Sequence, residues 1–289
     1  MTPSTRLTSE LPSPDEIAAY RERGWHVTGQ VVPHDLLDSI RILVEEHQHR
    51  PAHRRLPEST GHTDWSPADG PGVRNSEFLT VQEPAFSPLT LMPLIGQIAA
   101  LLAGTDEIRL FDDQAVLKPP TDDRSVVGWH TDHSYWSTCT SDRMLTAWIP
   151  FEDATIENGT LAVVEGSHLW LGTDNLRYFN VSDLDRLSAL LGREVSDGDV
   201  RRLEVRKGQV EFHHARMIHA SAANHTAAPR LAIAVHLQDK ENAYRRAFTP
   251  DGVRIVLPDD KIARRTRDGD PDYSDPACFP VLWRAGSAD

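Results

Sequence analysis

The residues of this chain best suited to bind a metal ion are His130 and Asp132, which stand two positions apart in the stretch Gly128-Trp129-His130-Thr131-Asp132. Side chains at i and i+2 of an extended strand project to the same face, so both could bind one ion without backbone distortion. A distant histidine would complete a set of two histidines and one carboxylate. That set leaves three metal positions open and is typical of non-haem Fe(II) oxygenases. Taken alone the pair is a weak signal, because such spacings also occur by chance in strands and turns.

The remaining groups must come from the late part of the chain, which also carries Arg230. A 2-oxo acid that chelates iron leaves its far carboxylate free, and the planar guanidinium of Arg230 can hold a carboxylate through two parallel hydrogen bonds. A salt bridge at the end of a strand is the alternative for this arginine. The same region offers four histidines as third ligand, and spacing alone does not choose among them: His213, His214, His219 and His225.

Several motifs surrounding these residues resemble the phytanoyl-CoA dioxygenase family in order and spacing. The resemblance covers about residues 108 to 237, with a weaker similarity towards the N-terminus. It is carried by Leu117-Lys118-Pro119-Pro120, the His130/Asp132 pair with Tyr135, Ala147-Trp148-Ile149-Pro150, Glu157-Asn158-Gly159-Thr160-Leu161, Glu165-Gly166-Ser167-His168 and His219-Ala220-Ser221-Ala222-Ala223-Asn224 with Arg230.

The resemblance implies a metal site made of His130, Asp132 and His219. The family places its distal histidine two residues before a serine and eleven before an arginine, as Ser221 and Arg230 stand here. Fe(II) is the implied metal, 2-oxoglutarate and O2 are the implied cosubstrates, and succinate and CO2 are the products. Because Asp132 is present where halogenating relatives have a small residue, hydroxylation of a C–H bond is expected, although desaturation, epoxidation or cyclisation would use the same residues.

Further contacts are expected around the cosubstrate and the substrate. Lys118, Trp148 and Ser221 are carried over from the matching motifs as cosubstrate contacts beside Arg230, and Gln114 is added because it shares a strand face with Lys118. Core packing is the alternative for Trp148. Tyr135, Trp136 and His213 are the candidate substrate contacts, each of which could instead be a structural residue. A non-oxidative metal enzyme, a binding protein without catalysis and a zinc hydrolase remain alternatives for the whole chain.

The composition of the 289 residues favours an enzyme acting on small molecules. A formal charge of −13 argues against nucleic acid as a partner, since phosphate binding needs a basic surface. The sequence has neither a long apolar run nor a secretory signal, so no membrane association and a cytoplasmic location are expected. Cys139 and Cys278 are too few for a disulfide framework. The expected substrate is a small bacterial metabolite or natural-product intermediate, and the expected assembly is a monomer or homodimer.

Periodicity predicts a mainly β fold with flanking helices, a double-stranded β-helix of the jelly-roll, cupin-like kind. One domain over 1–289 is expected, with a helical layer at about 14–104, a β core at about 105–240 and a tail at 241–289. Residues 47–75 have no clear period and are a possible lid over the active site. The expected helices are 14–23, 35–46, 91–102 and 181–191, and the expected strands are 25–32, 108–118, 146–151, 161–164, 209–213 and 231–237. The apolar residues 279–283 should pack back on the body.

Overall fold

Two antiparallel sheets form the centre of the molecule in a computed structural model that describes residues 10–49, 56–121, 125–173, 176–177, 181 and 183–286. The helices are α1 (Pro14–Arg23), α2 (His34–His49), α3 (Leu79–Gln82), α4 (Ser87–Thr90), α5 (Pro93–Ala103), α6 (Leu184–Leu191) and α7 (Pro258–Ile262). The strands are β1 (Trp25–Val27), β2 (Arg74–Glu77), β3 (Glu107–Lys118), β4 (Val127–His130), β5 (Leu145–Pro150), β6 (Leu161–Val164), β7 (Val200–Leu203), β8 (Glu211–His214), β9 (His219–Ser221), β10 (Arg230–Asp239) and β11 (Val281–Arg284).

The larger sheet has the order β1-β8-β5-β10-β3-β11, with β2 paired to β3, and the smaller sheet has the order β4-β9-β6-β7. Strand β10 lies between β3 and β5, and its first residue, Arg230, is the register partner of Lys118. In the smaller sheet His130 is the register partner of His219. This arrangement confirms the predicted jelly roll, although the two sheets do not close into a barrel.

Both faces of the larger sheet are covered at its centre, where all ten residues of β10 are buried. Leu231, Ile233 and Val235 pack in one cluster with buried residues of α2 and α5. Ala232 and Ala234 point the other way and pack with Trp148 and residues of the smaller sheet. Successive side chains of a strand face opposite sides, so the register of β10 decides which residues meet the helices and which face the space between the sheets.

The N-terminal helix begins and ends where its sequence signals predict. Ser13 and Glu16 form a reciprocal capping box at the start of α1, which satisfies two backbone N–H groups that have no partner inside the helix. Gly24 ends the helix at φ 84°, and its N–H donates to the Tyr20 carbonyl. Only glycine takes this left-handed conformation at little cost. A Cβ on Gly24 would also overlap Met217 and His168, so the turn holds α1 against the late strands.

Several predicted boundaries were wrong, each for a local reason. The strand predicted at 25–32 ends at Val27, and residues 28–32 continue as a turn whose backbone pairs with Val210 and Gly208. The helix predicted at 181–191 begins at Leu184, because Asp183 caps it by accepting from the Arg186 N–H; residue 182 lies outside the described residues. The other predicted helices and strands are present: 14–23 and 161–164 have the predicted ends, and the ends of the rest differ by at most three residues.

The segment predicted as a loop at 47–75 is partly ordered by pairing with the sheet. Helix α2 continues to His49, residues 50–55 lie outside the described residues, and short 3-10 turns occupy 58–60 and 67–69. Strand β2 then pairs with β3. Within the predicted tail, α7 and β11 are additional elements, and the packing of 279–283 is confirmed because Phe279 and Leu282 are buried and β11 joins the larger sheet.

No single helix in the described ranges is long and apolar enough to cross a membrane. The segments Pro84–Thr90 and Pro93–Ala103 meet the length and composition required only when they are taken together across a 51° bend.

Candidate metal centre

The side chains of His130, Asp132 and His219 converge in the space between the two sheets. Their candidate ligand atoms lie within 4.8 Å of one another, and among the described residues they form the one group of three or more histidine, cysteine or acidic side chains that does so. His130 ends β4 and His219 begins β9, so strand pairing brings the two imidazoles together. The expectation that Asp132 shares a strand with His130 was wrong: β4 ends at His130, and Asp132 begins a 3-10 turn.

Both histidines are oriented by their own backbone. The Nδ1–H of His130 donates to the Gly128 carbonyl at 2.8 Å, and that of His219 donates to the Met217 carbonyl at 3.0 Å. This places the proton of each ring on Nδ1, so Nε2 carries the lone pair that can bind a metal. The Nε2 atoms lie 3.7 and 3.6 Å from Asp132 Oδ1. These gaps are shorter than two metal–ligand bonds of about 2.0–2.2 Å each, so one ion could contact all three atoms.

The second oxygen of Asp132 is held by the protein. Thr146 Oγ1 donates to Asp132 Oδ2 at 2.5 Å, and His213 Nε2 lies 3.3 Å from the same oxygen. Oδ1 is thereby left facing the two histidines. Burial alone would raise the pKa of Asp132, but the neighbouring His219, His213 and His236 hold it well below its usual value. The carboxylate is therefore ionised, as a metal ligand must be.

A chain of hydrogen bonds extends from Asp132 to Gln114 through a residue that the sequence reasoning missed. His236 Nδ1–H donates to Thr146 Oγ1 at 2.8 Å, and His236 Nε2 accepts from Gln114 Nε2 at 2.9 Å. Burial lowers the pKa of His236 to about 4, so the ring is neutral and its single proton lies on Nδ1. The spacing could have revealed this residue, because 230, 232, 234 and 236 share one face of a strand.

His213, predicted to touch the substrate, lines the space between the sheets and also bridges two carboxylates. Its Nδ1 lies 2.8 Å from Oε2 of Glu211, a fully buried residue that the sequence reasoning missed, and its Nε2 faces Asp132. Burial alone would lower the pKa of His213, but Glu211 and Asp132 raise it to about 10, so the imidazole is cationic. The other late histidines lie elsewhere: His214 bonds to the Asp142 carbonyl, and His225 is not part of the converging group.

A cavity of about 630 Å³ surrounds the converging group and extends along the larger sheet. Four residues of the predicted lid segment contribute to its wall, namely Gly61, Thr63, Val73 and Asn75. All the predicted site residues except Lys118 line the cavity: His130, Asp132, His219, Arg230, Trp148, Ser221, Gln114, Tyr135, Trp136 and His213.

Arg230 lines the cavity and is almost completely buried, with 1% of its surface exposed. Its Nη2 donates to the Gly159 carbonyl at 3.1 Å, and its guanidinium carbon lies 5.3 Å from the Trp148 ring centre. Nε and Nη1 are buried and have no hydrogen-bond partner among the described residues. Burial lowers the pKa of Arg230 to about 10, which leaves it charged at neutral pH. Buried donors without partners are costly, so this end of the cavity is suited to a carboxylate.

Lys118 lies beside this cation and is not among the residues that line the cavity. Its Nζ donates to the Ser221 carbonyl at 3.0 Å and to the Ala222 carbonyl. Burial and the nearby Arg230 lower the pKa of Lys118 to about 5, so its amine is neutral. These contacts tie the end of β9 to β3. The predicted contact of Lys118 with the cosubstrate stays a prediction.

The aromatic residues predicted to touch the substrate support the histidines of the site. The Tyr135 ring lies edge-on to His130 with centroids 6.1 Å apart. The Trp136 ring lies edge-on to His236 at 4.9 Å and packs against Phe111 at 5.4 Å. Trp136 is largely buried. It therefore has a packing role in addition to lining the cavity.

Comparison with known proteins assigns the chain to a family. The family model described as phytanoyl-CoA dioxygenase (PhyH) matches residues 12–232. A phytanoyl-CoA dioxygenase domain-containing protein 1 homolog of Caenorhabditis briggsae is 24% identical over 168 residues, which is 57% of this chain and 58% of the relative. The chain thus spans little more than half the length of that curated relative.

Solved structures match over almost the whole chain. The non-heme alpha-ketoglutarate-dependent carbocyclase SnoK from nogalamycin biosynthesis is 26% identical with a TM-score of 0.70, and the match covers 97% of this chain and 99% of SnoK. The epimerase SnoN in complex with Fe3+, alpha-ketoglutarate and nogalamycin RO is 24% identical with a TM-score of 0.67, covering 93% and 97%; at that identity it shows the fold alone. Because the family model matches well over half of the chain, the protein belongs to the phytanoyl-CoA dioxygenase family.

Proposed function

We propose that this protein is an Fe(II)- and 2-oxoglutarate-dependent oxygenase that hydroxylates a C–H bond of a small molecule. One observation carries the proposal: two histidine Nε2 atoms and one aspartate oxygen converge in the same cavity as a buried guanidinium whose Nε and Nη1 have no hydrogen-bond partner among the described residues. The first group fits a metal with open positions. The second fits the far carboxylate of a 2-oxo acid.

The donor set fits Fe(II) in detail. His130 and His219 present neutral Nε2 atoms because their Nδ1–H groups are engaged by backbone carbonyls. Asp132 presents Oδ1 because Thr146 and His213 bind Oδ2. When bound, the iron with 2-oxoglutarate and O2 supplies the oxidising chemistry, with succinate and CO2 as products. The task of these three side chains is to hold the metal at a fixed place opposite the substrate.

Arg230 would hold 2-oxoglutarate by its far carboxylate. Its unpartnered Nη1 can donate in parallel with the second N–H of Nη2, whose other N–H is held by the Gly159 carbonyl, and the unpartnered Nε is a further donor. Trp148 covers the guanidinium and excludes water from it. Ser221, which lines the same part of the cavity, can add a hydroxyl donor. Anchoring at this end leaves the other end of the acid directed towards the metal.

The cavity volume of about 630 Å³ suits a small substrate together with the cosubstrate. We place a bacterial metabolite or natural-product intermediate there rather than a nucleic acid, consistent with the formal charge of −13. A cytoplasmic location belongs to the same proposal.

Ring closure is a second candidate reaction. It is favoured by the 26% identity to the carbocyclase SnoK over 97% of this chain. Hydroxylation and ring closure need the same metal and cosubstrate residues. They differ in what the substrate places near the metal, so product analysis with an identified substrate separates them.

The proposed cofactor chemistry is tested by anaerobic titration of the metal-free protein with Fe(II) and then 2-oxoglutarate. We expect the weak visible charge-transfer band of a chelated Fe(II)–2-oxo acid complex. The band should be lost in His219→Ala, and in Arg230→Ala it should need at least about tenfold more 2-oxoglutarate, because a buried charged partner is removed. Arg201→Ala, at an arginine outside the cavity that pairs with Glu165, is the matched control. If Fe(II) binds and no band forms at any concentration, the proposal is wrong.

A further inference from the structure

The cavity has an acidic wall opposite Arg230 whose carboxylates have no role in the function proposed above. The wall consists of Glu77 at the end of β2, Asp112 on β3 and Asp259 on α7, and all three line the cavity. These residues are far apart in sequence, yet the pairing of β2 with β3 and the position of α7 bring them to one place. Arg230 is the only arginine or lysine among the described residues that line the cavity.

The register of β3 and β10 places the acidic wall far from Arg230. Arg230 pairs with Lys118, and His236 pairs with Asp112. Six residues separate the two positions on each strand, which corresponds to about 20 Å at roughly 3.3 Å per residue. The candidate metal group is tied to His236 through Thr146. The acidic wall therefore lies level with His236, at the end of the cavity where the metal group is found and away from the Arg230 end.

Asp259 is the member of this wall that most clearly lacks a partner. It is 5% exposed, and its Oδ1 is buried without a hydrogen-bond partner in the described part of the chain. Leaving a buried carboxylate oxygen unpaired is costly unless a ligand or a proton compensates it. The other two carboxylates are bound by neutral donors: the Thr63 N–H donates to Glu77 at 2.8 Å, and the Asp113 N–H donates to Asp112 at 2.7 Å.

The three carboxylates also repel one another. Burial, Asp259 and Glu77 raise the pKa of Asp112 well above its usual value, and burial together with Asp260 and Glu77 does the same for Asp259. A cation between them would relieve this repulsion. A single metal ion fits poorly, because the wall does not form a group with three ligand atoms within 4.8 Å of one another; among the described residues His130, Asp132 and His219 form the group that does.

We propose that the acidic wall binds a protonated nitrogen of the substrate, so that the enzyme acts on an organic ammonium or amidinium compound. This inference rests on the proposed function and specifies its substrate class. The cation would pair with Asp259 and Asp112, and Glu77 would complete the wall. Arg230 and the acidic wall would then sort two ligands by charge, with the dicarboxylate at one end and the cationic substrate at the other.

The test compares two probes of nearly equal shape, 4-fluorobenzylammonium and 4-fluorobenzyl alcohol, by fluorine NMR titration. Each is added to the metal-free protein and to protein loaded anaerobically with Fe(II) and 2-oxoglutarate. We expect the ammonium to bind at least about tenfold more tightly than the alcohol, because buried opposite charges are paired only by the former. Asp259→Asn and Asp112→Asn should each remove most of this preference and leave alcohol binding unchanged.

Asp268→Asn is the matched control, since it makes the same change of charge at an exposed residue that is absent from the cavity wall. Glu77→Gln serves as a further variant if either aspartate variant fails to fold. The inference is overturned if the two probes bind equally, if the cavity variants keep the preference, or if Asp268→Asn removes it as well. Competition by Mg²⁺ at submillimolar concentration would also overturn it, because the wall would then be an inorganic cation site.

The charge-transfer band of the loaded wild-type protein separates the two proposals. A missing band refutes the cofactor chemistry. The preference of the metal-free protein for the ammonium probe does not depend on the band and still tests the acidic wall. A normal band with no preference for the ammonium refutes only the substrate class.

Discussion

Replacing Thr146 by valine removes one hydroxyl from the hydrogen-bond chain behind the candidate metal centre while keeping the shape of the side chain. The hydroxyl donates to Asp132 Oδ2 at 2.5 Å and accepts from His236 Nδ1–H at 2.8 Å. In the variant Asp132 keeps only His213 as a partner for that oxygen, and the His236 proton has no acceptor. We expect weaker metal binding and a less stable metal-free protein.

The magnitude follows from the two lost contacts. A hydrogen bond to a charged group contributes about 1.5–3 kcal/mol, and removing an outer partner of a metal ligand lowers metal affinity about 10–100-fold. Because His213 still binds Asp132 Oδ2, we expect the lower part of that range, about 10–30-fold. The unpaired donor of His236 should lower the free energy of unfolding of the metal-free protein by about 1–3 kcal/mol.

Metal affinity is measured by anaerobic competition between the protein and a chromophoric Fe(II) chelator, and stability by urea unfolding without metal. Thr146→Ser is the control, because it restores the hydroxyl and should recover most of both losses. If Thr146→Val binds Fe(II) within about twofold of wild type, less than the cost of one hydrogen bond, the hydrogen bond to Asp132 does not position the carboxylate and the reasoning fails.

Three further predictions concern the anchor, the acidic wall and the core. Gly159 has φ 78°, and a Cβ there would overlap the Ala222 carbonyl oxygen. Gly159→Ala should therefore displace the Gly159 carbonyl that holds Arg230 and lower the free energy of unfolding by about 1–2 kcal/mol. It should also weaken the binding of 2-oxoglutarate, measured by calorimetric titration. Burial and neighbouring carboxylates raise the pKa of Asp112 in the folded protein. The stability that the bound proton contributes is therefore complete below the unfolded pKa and is lost as the pH rises through the folded pKa. Asp112→Asn should therefore flatten the decrease of stability that sets in, in urea unfolding, as the pH rises above the pKa of an unfolded aspartate, about 4. Ile233→Ala empties a fully buried position facing the helices and should cost about 2–5 kcal/mol of stability without changing 2-oxoglutarate affinity.

These predictions would be contradicted by different results. A Gly159→Ala protein with wild-type 2-oxoglutarate affinity would mean that the carbonyl does not position the guanidinium. An unchanged pH slope in Asp112→Asn would mean that its carboxyl does not hold the proton. Reduced 2-oxoglutarate affinity in Ile233→Ala would mean that the helix-facing side of β10 is coupled to the cavity.

The sequence allowed the fold, the family and the converging residues to be predicted because the relevant signals are local or motif-like. The sequence shows the spacing of His130 and Asp132, and it shows the serine and the arginine that follow His219. These signals identify the residues although Asp132 begins a 3-10 turn and does not continue the strand of His130. A tight turn carries Asp132 to the same place that a strand would have reached. The prediction thus identified the residues and was wrong about the conformation that positions Asp132.

The site residues and element ends that were not predicted depend on tertiary contacts, which no local sequence pattern reports. Glu211 reaches the site only because His213, two positions along the same strand, contacts Asp132, and His236 only because the sheet places it beside Thr146. Lys118 matches a family motif, yet burial and its neighbours turn its amine towards backbone carbonyls. The short extent of β1 likewise follows from a turn that pairs with the segment before β8, and not from the propensity of residues 28–32.

Two of the three carboxylates of the acidic wall come from segments that do not carry the metal group, and this affects how substrate preference could change in evolution. The groups proposed to hold metal and cosubstrate lie on the jelly-roll strands and the turn after β4, whereas Glu77 and Asp259 come from segments before and after the central strands. These flanking segments can exchange side chains, or whole stretches of chain, while the residues proposed to hold metal and cosubstrate keep their geometry. If the acidic wall selects the substrate, changes of substrate class should accumulate at Glu77 and Asp259 before they reach Asp112 on the central strand β3, and grafting β2 and α7 is a direct way to test this.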